Sequence, residues 1–170
     1  MYRPTRTTRL PGPAAAERTI DLQAAYFVPD SLMIQALQAA RHRGVRVRVI
    51  VPGKHIDSDT VRLASKAHWG ELLVAGVEIH EYQPTMMHNK LLVVDGLMTS
   101  VGSTNFDIRS FRLNDEASLK VYDADLAARM TEVFEADLKP TALYTYRMWK
   151  DRPLREKLFE KFILPIKSQL

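Results

Sequence analysis

Four polar side chains lie at a spacing that could bring them together around one phosphodiester. His88 and Lys90 are two residues apart, so on an extended strand both side chains face the same way. Ser103 and Asn105 repeat that spacing further along the chain, beyond a turn signal at Gly96. A strand, a turn and a returning strand would therefore gather an imidazole, an ammonium, a hydroxyl and an amide at one point.

This set of groups suits phosphodiester chemistry. The ammonium of Lys90 would offset the charge of the non-bridging oxygens, while Ser103 and Asn105 would donate neutral hydrogen bonds. An imidazole exchanges protons near neutral pH, so His88 could act as a nucleophile or as a general acid. Because the positive charge comes from the protein, we expect neither a metal ion nor another cofactor.

The overall composition is that of an ordinary globular protein with a mild preference for anionic partners. Hydrophobic residues make up 46% and charged residues 26% of the 170 residues. There is no cysteine, which excludes disulfides, thiolate zinc sites and cysteine nucleophiles. The net charge of +4 favours phospholipid surfaces or nucleic acid. No stretch approaches the roughly 20 apolar residues of a membrane span, so work on lipid would take place at a surface.

The hydrophobic pattern predicts an α/β fold in which helices cover a mixed, largely parallel sheet. A strand at 19–27, a helix that ends near Gly44 and a strand at 45–51 indicate a parallel crossover. The later predicted elements are a helix at 59–75, strands at 77–82, 91–95, 98–101 and 117–122, and a helix at 124–138.

Composition divides the chain into three parts. Residues 1–18 are rich in arginine and proline, which predicts a flexible basic arm or the remnant of a linker. Residues 19–142 hold the predicted elements and the polar set. Residues 143–170 are predicted to form a basic amphipathic segment whose apolar stripe includes Leu158 and Phe162. Such a segment could lie on an anionic bilayer or dock onto the body of the protein.

The spacing of the polar residues resembles the HKD signature of the phospholipase D superfamily. Six residue types at fixed spacing arise by chance on the order of once in 10⁵–10⁶ chains of this length. The residues that match the signature are His88, Lys90, Asp95, Gly102, Ser103 and Asn105.

The resemblance extends to the C-terminal catalytic half of bacterial cardiolipin synthases. Residues 109–116 resemble the run that follows the second HKD motif of those enzymes, and residues 26–30 and 43–47 resemble the opening of that half. In all, the resemblance covers roughly residues 19–160. It implies a phospholipase D-like half-domain with an α-β-α sandwich.

The resemblance also implies a role for each matching residue. The carboxylate of Glu116 would hydrogen-bond the ring of His88 and fix its tautomer. Asp95 and Gly102 would be structural, with Asp95 just behind the phosphate, and Ser103 would bind substrate. In members with two motifs, the first histidine takes the phosphoryl group and the second protonates the leaving alcohol, which makes His88 the acid.

The implied function is that of a cardiolipin-synthase-like phosphatidyltransferase. It would pass a phosphatidyl group from phosphatidylglycerol, through a phosphohistidine, to an acceptor alcohol. Its partners would be anionic phospholipid and the membrane surface, with a cytoplasmic, peripheral location at the inner face. Two alternatives stay open, a homodimeric HKD endonuclease and an inactive orphan half-domain.

One departure from the family pattern affects the partners. Family active sites need two HKD motifs, and this chain has one. The resemblance therefore implies a second HKD-bearing chain, either another copy or a complementary half. The remaining histidines lack a lysine two residues on and are expected to be ordinary surface or half-buried residues; they are His42, His55, His68 and His80.

Overall fold

The computed structural model describes residues 11–103, 106–107, 117–154 and 156–157. Its strands are β1 (Thr19–Ala24), β2 (Phe27–Val28), β3 (Arg46–Pro52), β4 (Glu78–Tyr82), β5 (Lys90–Val94), β6 (Met98–Gly102), β7 (Phe106–Asp107), β8 (Ser118–Tyr122) and β9 (Thr141–Tyr144). Its helices are α1 (Pro11–Ala15), α2 (Ser31–His42), α3 (Asp59–Val74), α4 (Ala124–Leu138) and α5 (Tyr146–Lys150).

Within these ranges a seven-stranded sheet runs in the order β8-β6-β5-β1-β3-β4-β9, and β2 pairs separately with β7. The pairs β1–β3 and β3–β4 are parallel, and the other four neighbouring pairs of the large sheet are antiparallel. The predicted α/β fold and mixed sheet are confirmed, but the expectation of a largely parallel sheet is wrong. The β5–β6 pair is antiparallel because a tight turn can join only antiparallel neighbours.

The central strand β1 separates two layers of helices because its residues alternate between the two faces of the sheet. Ile20, Leu22 and Ala24 are buried in the main core with residues of α2 and α3. Asp21 and Gln23 are also buried, and their side chains hydrogen-bond polar groups within the structure. The contacts of β1 and β5 with α4 complete the α-β-α sandwich.

The crossover from β1 to β3 depends on the ends of α2. The carboxylate of Asp30 accepts a 2.9 Å hydrogen bond from the backbone N–H of Met33, which caps the first turn. Gly44 has a φ of +88° just after the helix, a conformation that glycine adopts without strain. This turn feeds the chain into β3, where Ile20 and Val47 are register partners of the parallel pair.

Residues 11–18 do not form a flexible arm. Pro11–Ala15 is helix α1, Ala16 is 1% exposed, and the guanidinium of Arg43 donates a 3.0 Å hydrogen bond to the carbonyl of Ala16. The prediction is wrong here because this proline-rich stretch forms a short helix that contacts α2. Residues 1–10 lie outside the described part of the chain.

The segment after α4 returns to the sheet as β9, so the boundary predicted between residues 142 and 143 falls inside a strand. Tyr144 is 5% exposed, and its ring lies 4.9 Å from that of Trp69 in a T-shaped contact. The indole N–H of Trp149 donates a 2.8 Å hydrogen bond to the carbonyl of Lys66. Leu158 and Phe162 lie outside the described residues, and the amphipathic stripe stays a prediction.

None of the helices in the described part of the chain is both long and apolar enough to cross a bilayer.

Candidate active site

The pairing of β5 with β1 brings the first two residues of the HKD pattern together at the rim of the sheet. Lys90 lies opposite Ala24, and the carbonyl of Asn89 continues the ladder by accepting a 3.0 Å hydrogen bond from the backbone N–H of Ala25. The ammonium nitrogen of Lys90 lies 3.2 Å from Nδ1 and 3.5 Å from Nε2 of His88. The side chain of His88 is exposed, so a ligand can reach its imidazole and the neighbouring ammonium of Lys90 together.

The imidazole of His88 is also supported by Tyr26. The two ring centroids are 5.9 Å apart, with an interplanar angle of 83°. The hydroxyl of Tyr26 donates a hydrogen bond to the carboxylate of Asp57, which comes from the loop before α3. The sequence analysis did not identify Tyr26 as a site residue. The signal that could have found it is that Tyr26 lies in the run 26–30, which resembles the opening of the catalytic half.

The return strand β6 brings Gly102 and Ser103 back to the same rim. Val101 lies opposite Leu91, so one further step of the register places Gly102 opposite Lys90. The backbone N–H of Ser103 donates a 2.9 Å hydrogen bond to the carbonyl of Ala117, and its hydroxyl accepts one of 3.1 Å from the N–H of Ala117. Ser103 therefore lies at the same rim as His88 and Lys90. Its role in substrate binding stays a prediction.

Gly102 is needed for a close approach between β6 and the start of β8. A Cβ atom at this position would lie 2.2 Å from the carbonyl oxygen of Ala117 and 2.6 Å from Cα of Ser118. No side chain fits at those distances without moving backbone. These contacts agree with the structural role expected for Gly102.

Asn105 and Glu116 lie outside the described residues, as do residues 109–116 as a whole. The hydrogen bond expected between Glu116 and His88, and the contact of Asn105 with phosphate, stay predictions.

Asp95 holds a turn at the opposite end of β5 from the candidate site. Its φ is 56°, and its carboxylate accepts hydrogen bonds of 2.9, 2.7 and 2.8 Å from the backbone N–H groups of Glu17, Arg18 and Thr19. Burial by itself raises the pKa of this carboxyl, but the three backbone hydrogen bonds hold the pKa below its usual value.

These contacts support a structural role for Asp95 but correct its expected location. β5 runs over five residues, so Asp95 lies about 16 Å along the strand from Lys90. It is not just behind the phosphate. Asp95 belongs to the same sequence motif as His88 because the β5–β6 hairpin, with Asp95 in its turn, joins the first part of the motif to the last.

The other histidines differ from His88 in their surroundings. His42 and His55 are exposed. The Nδ1 atom of His80 lies 3.2 Å from the hydroxyl of Thr141, and burial lowers the pKa of this imidazole. Among the described residues, no group of three or more histidine, aspartate, glutamate or cysteine side chains could hold a metal ion.

A sequence profile described as "Cardiolipin synthase, PLD-like domain" matches residues 14–138. The chain belongs to this family. It is 39% identical over 155 residues to cardiolipin synthase 1 of Staphylococcus epidermidis, a match that covers 89% of this chain and 31% of that protein. The chain thus spans about three tenths of the length of the curated relatives it matches. The resemblance noted from the HKD spacing is confirmed.

Solved structures show the same fold at low sequence identity. The phospholipase D family member Nuc from Salmonella typhimurium superimposes with a TM-score of 0.74 at 22% identity, covering 82% of this chain and 90% of Nuc. The phosphatidylserine synthase of Haemophilus influenzae gives a TM-score of 0.69 at 15% identity, covering 90% of this chain and 40% of that one. At this identity the likeness concerns the fold alone.

Proposed function

We propose that the chain supplies one HKD half of a cardiolipin-synthase-like phosphatidyltransferase. The observation that carries this proposal is the 3.2 Å contact between His88 Nδ1 and Lys90 Nζ at an exposed rim, in a chain of the cardiolipin synthase PLD-like family. An ammonium beside an imidazole offers charge for a phosphodiester and a proton for its leaving group. The named relatives favour lipid over nucleic acid as the substrate.

In the proposed reaction, His88 works with a histidine of a second HKD motif. The histidine of that other motif attacks phosphorus of phosphatidylglycerol, forming a P–N bond, while the P–O bond to glycerol breaks and His88 gives its proton to the departing oxygen. An acceptor alcohol then returns a proton to His88 and attacks phosphorus, which breaks the P–N bond. Lys90 stabilises the charge on the non-bridging oxygens in both steps.

The second motif would come from another copy of the chain or from another HKD-bearing segment. Among the described strands, β8 ends the sheet, and it lies next to Ser103 through the contacts with Ala117. Leu119 on this strand is 64% exposed, and it is the register partner of Val101, which is 36% exposed. Exposed apolar side chains at this edge of the sheet, close to Ser103, offer a surface for the second half.

We further propose that the enzyme acts while bound peripherally to the inner face of the membrane. The net charge of +4 would favour an anionic bilayer surface. The phosphodiester of a phospholipid lies in the headgroup layer, so an exposed imidazole at a rim can reach it without entering the hydrocarbon.

The decisive experiment measures release of labelled glycerol from phosphatidylglycerol vesicles and analyses the lipid product. Cardiolipin indicates transfer to phosphatidylglycerol, whereas phosphatidic acid indicates water as acceptor. We expect His88→Asn to lower the turnover rate by about 10²–10⁴-fold, the usual contribution of a general acid. His42→Gln, which removes an exposed imidazole on α2, is the matched control and should leave turnover unchanged.

Three outcomes would contradict the proposal. His88→Asn could keep full turnover, which would remove the imidazole from the mechanism. Magnesium-free plasmid nicking with untouched vesicles would favour the endonuclease alternative. A wild-type chain that is dimeric on sizing, and so holds two HKD motifs, but turns over neither substrate would favour an inactive half-domain.

A further inference from the structure

The residue between His88 and Lys90 is fixed from the opposite face of the sheet. The side-chain amide nitrogen of Asn89 donates a 3.1 Å hydrogen bond to Oε1 of Gln23. The amide nitrogen of Gln23 in turn donates a 2.8 Å hydrogen bond to Oδ2 of Asp137, near the end of α4. We propose that Gln23 and Asp137 are positioning residues that aim the His88–Lys90 pair through Asn89, an assignment that rests on the proposed function.

The direction of each hydrogen bond follows from Asp137. A carboxylate can only accept, so the amide group of Gln23 must turn its nitrogen toward Asp137. Its oxygen then faces Asn89, which must donate through its own nitrogen. One carboxylate on α4 thereby sets the orientation of two amide groups in succession.

Burial makes this orientation stringent. Gln23 is 1% exposed, so an amide atom left without a partner there would carry the full desolvation penalty. Flipping its amide would place oxygen against the carboxylate of Asp137, so the hydrogen bond between them would be lost and two oxygens would repel each other.

Because of strand geometry, the hydrogen bond that holds Asn89 also orients the side chains of His88 and Lys90. Neighbouring side chains of an extended segment point to opposite faces, so Asn89 faces the α4 side when His88 and Lys90 face the other. The segment cannot rotate about its axis while Asn89 is held. The backbone hydrogen bond from Ala25 to the carbonyl of Asn89 fixes the same residue along the strand.

The first test measures the orientation of the His88 ring rather than activity. In NMR spectra of the full chain, contacts between the ring protons of Tyr26 and His88 report the aim of the imidazole, since the ring centroids are 5.9 Å apart. We expect Gln23→Leu to abolish these cross-peaks while those between Trp69 and Tyr144, 4.9 Å apart in the core, are kept. Retention of the Tyr26–His88 cross-peaks in Gln23→Leu would overturn the inference.

The second test measures how the loss of the Gln23 amide changes kcat and KM. With phosphatidylglycerol vesicles, Gln23→Leu should lower kcat by about 10- to 100-fold with KM nearly unchanged, because a misplaced reacting group costs turnover rather than binding. Gln38→Leu, at a helix position where the amide donates a 3.4 Å hydrogen bond to the carbonyl of Glu71, is the matched control. It should leave both constants unchanged.

A charge exchange tests the orientation argument. Gln23→Glu alone would set two carboxylates against each other and should impair kcat as strongly as Gln23→Leu. Adding Asp137→Asn supplies a donor to the new carboxylate, which can still accept from Asn89, so the double variant should regain most of the lost kcat. The double variant also covers the case in which Gln23→Leu does not fold.

Failure of this inference is distinguishable from failure of the proposed function. If His88→Asn abolishes turnover but Gln23→Leu and Gln23→Glu do not, the positioning role is wrong and the proposed function stands. If the wild-type chain turns over no phosphodiester, the proposed function fails, and the ring cross-peaks still decide whether Gln23 sets the aim of His88.

Discussion

Arg18 and Asp95 bind each other reciprocally across the start of β1 and the turn that follows β5. The backbone N–H of Arg18 donates a 2.7 Å hydrogen bond to Oδ1 of Asp95, and its guanidinium donates one of 2.6 Å to the carbonyl of Asp95. The aspartate of the HKD pattern thus ties two distant parts of the chain together. Asp95 therefore stabilises the sheet at the end opposite to His88.

We therefore expect Asp95→Asn to lower stability and to leave catalysis in the folded protein unchanged. The amide offers one acceptor oxygen where the carboxylate offers two, so at least one backbone N–H loses its partner, at about 0.5–1.5 kcal/mol because the N–H groups of Glu17 and Arg18 can still reach water. Urea unfolding would measure the loss, and kcat of the folded fraction the activity. Asp151→Asn, in an exposed pair with Arg147, should change neither. A large fall in kcat without a fall in stability would contradict this.

The pH dependence of this effect has a definite sign. The pKa of the Asp95 carboxyl is lowered in the folded state, so the unfolded chain binds a proton more readily than the folded protein. The stabilisation is present above the unfolded value of about 3.9 and is lost as the pH falls below it. The difference in unfolding free energy between wild type and Asp95→Asn should shrink over that acid range.

His80 should give a second pH dependence at higher pH. Burial, and to a smaller extent Arg48, lowers the pKa of this imidazole in spite of the opposing effect of Glu78. The unfolded chain therefore gains a proton first as the pH falls. Stability is complete above the unfolded value of about 6.5 and declines as the pH drops through it toward the folded value.

His80→Asn tests this assignment, because its amide can still donate to Thr141 but does not titrate. The variant should show a flatter dependence of unfolding free energy on pH between about 7 and 5. His42→Gln, which removes an exposed imidazole, should keep the wild-type slope. An identical slope in wild type and His80→Asn would show that another group is responsible.

The buried pair Asp21–Arg48 should be far more costly to break than to replace. Nε of Arg48 lies 2.8 Å from Oδ1 of Asp21, both side chains are about 5% exposed or less, and Arg48 also binds Glu135 at 2.7 Å. Asp21→Ala should cost about 3–5 kcal/mol, whereas Asp21→Leu combined with Arg48→Met should cost much less. Thermal unfolding of the single and double variants measures this. A single-variant loss under about 1 kcal/mol would contradict it.

Gly102→Ala should separate the start of β8 from β6. The added methyl would lie 2.2 Å from the carbonyl oxygen of Ala117, so backbone must shift, at about 1–3 kcal/mol. Because Ser103 bonds Ala117, turnover should fall as well. Ser100→Ala, in the same strand, is the matched control for stability and kcat. A Gly102→Ala variant with wild-type stability would show that β8 can yield without strain.

The amino-acid sequence by itself determined the central helices and strands and the contact between His88 and Lys90. Apolar periodicity and capping residues predict α4 at its observed bounds and α2, β3 and β5 to within about two residues, because these depend on local backbone preference and on which face is apolar. The spacing of His88 and Lys90 predicts their contact, since alternate residues of an extended segment share a face.

The tertiary structure alone decided which distant residues meet. The support of His88 by Tyr26, the anchoring of Asn89 by Gln23 and Asp137, and the hydrogen bonds of Asp95 to residues 17–19 all depend on the register between separated strands. A buried polar residue such as Gln23 is visible in the sequence only as a break in an apolar pattern. Its partner is chosen by packing, because many segments offer a suitable carboxylate and folding brings Asp137 within hydrogen-bonding distance.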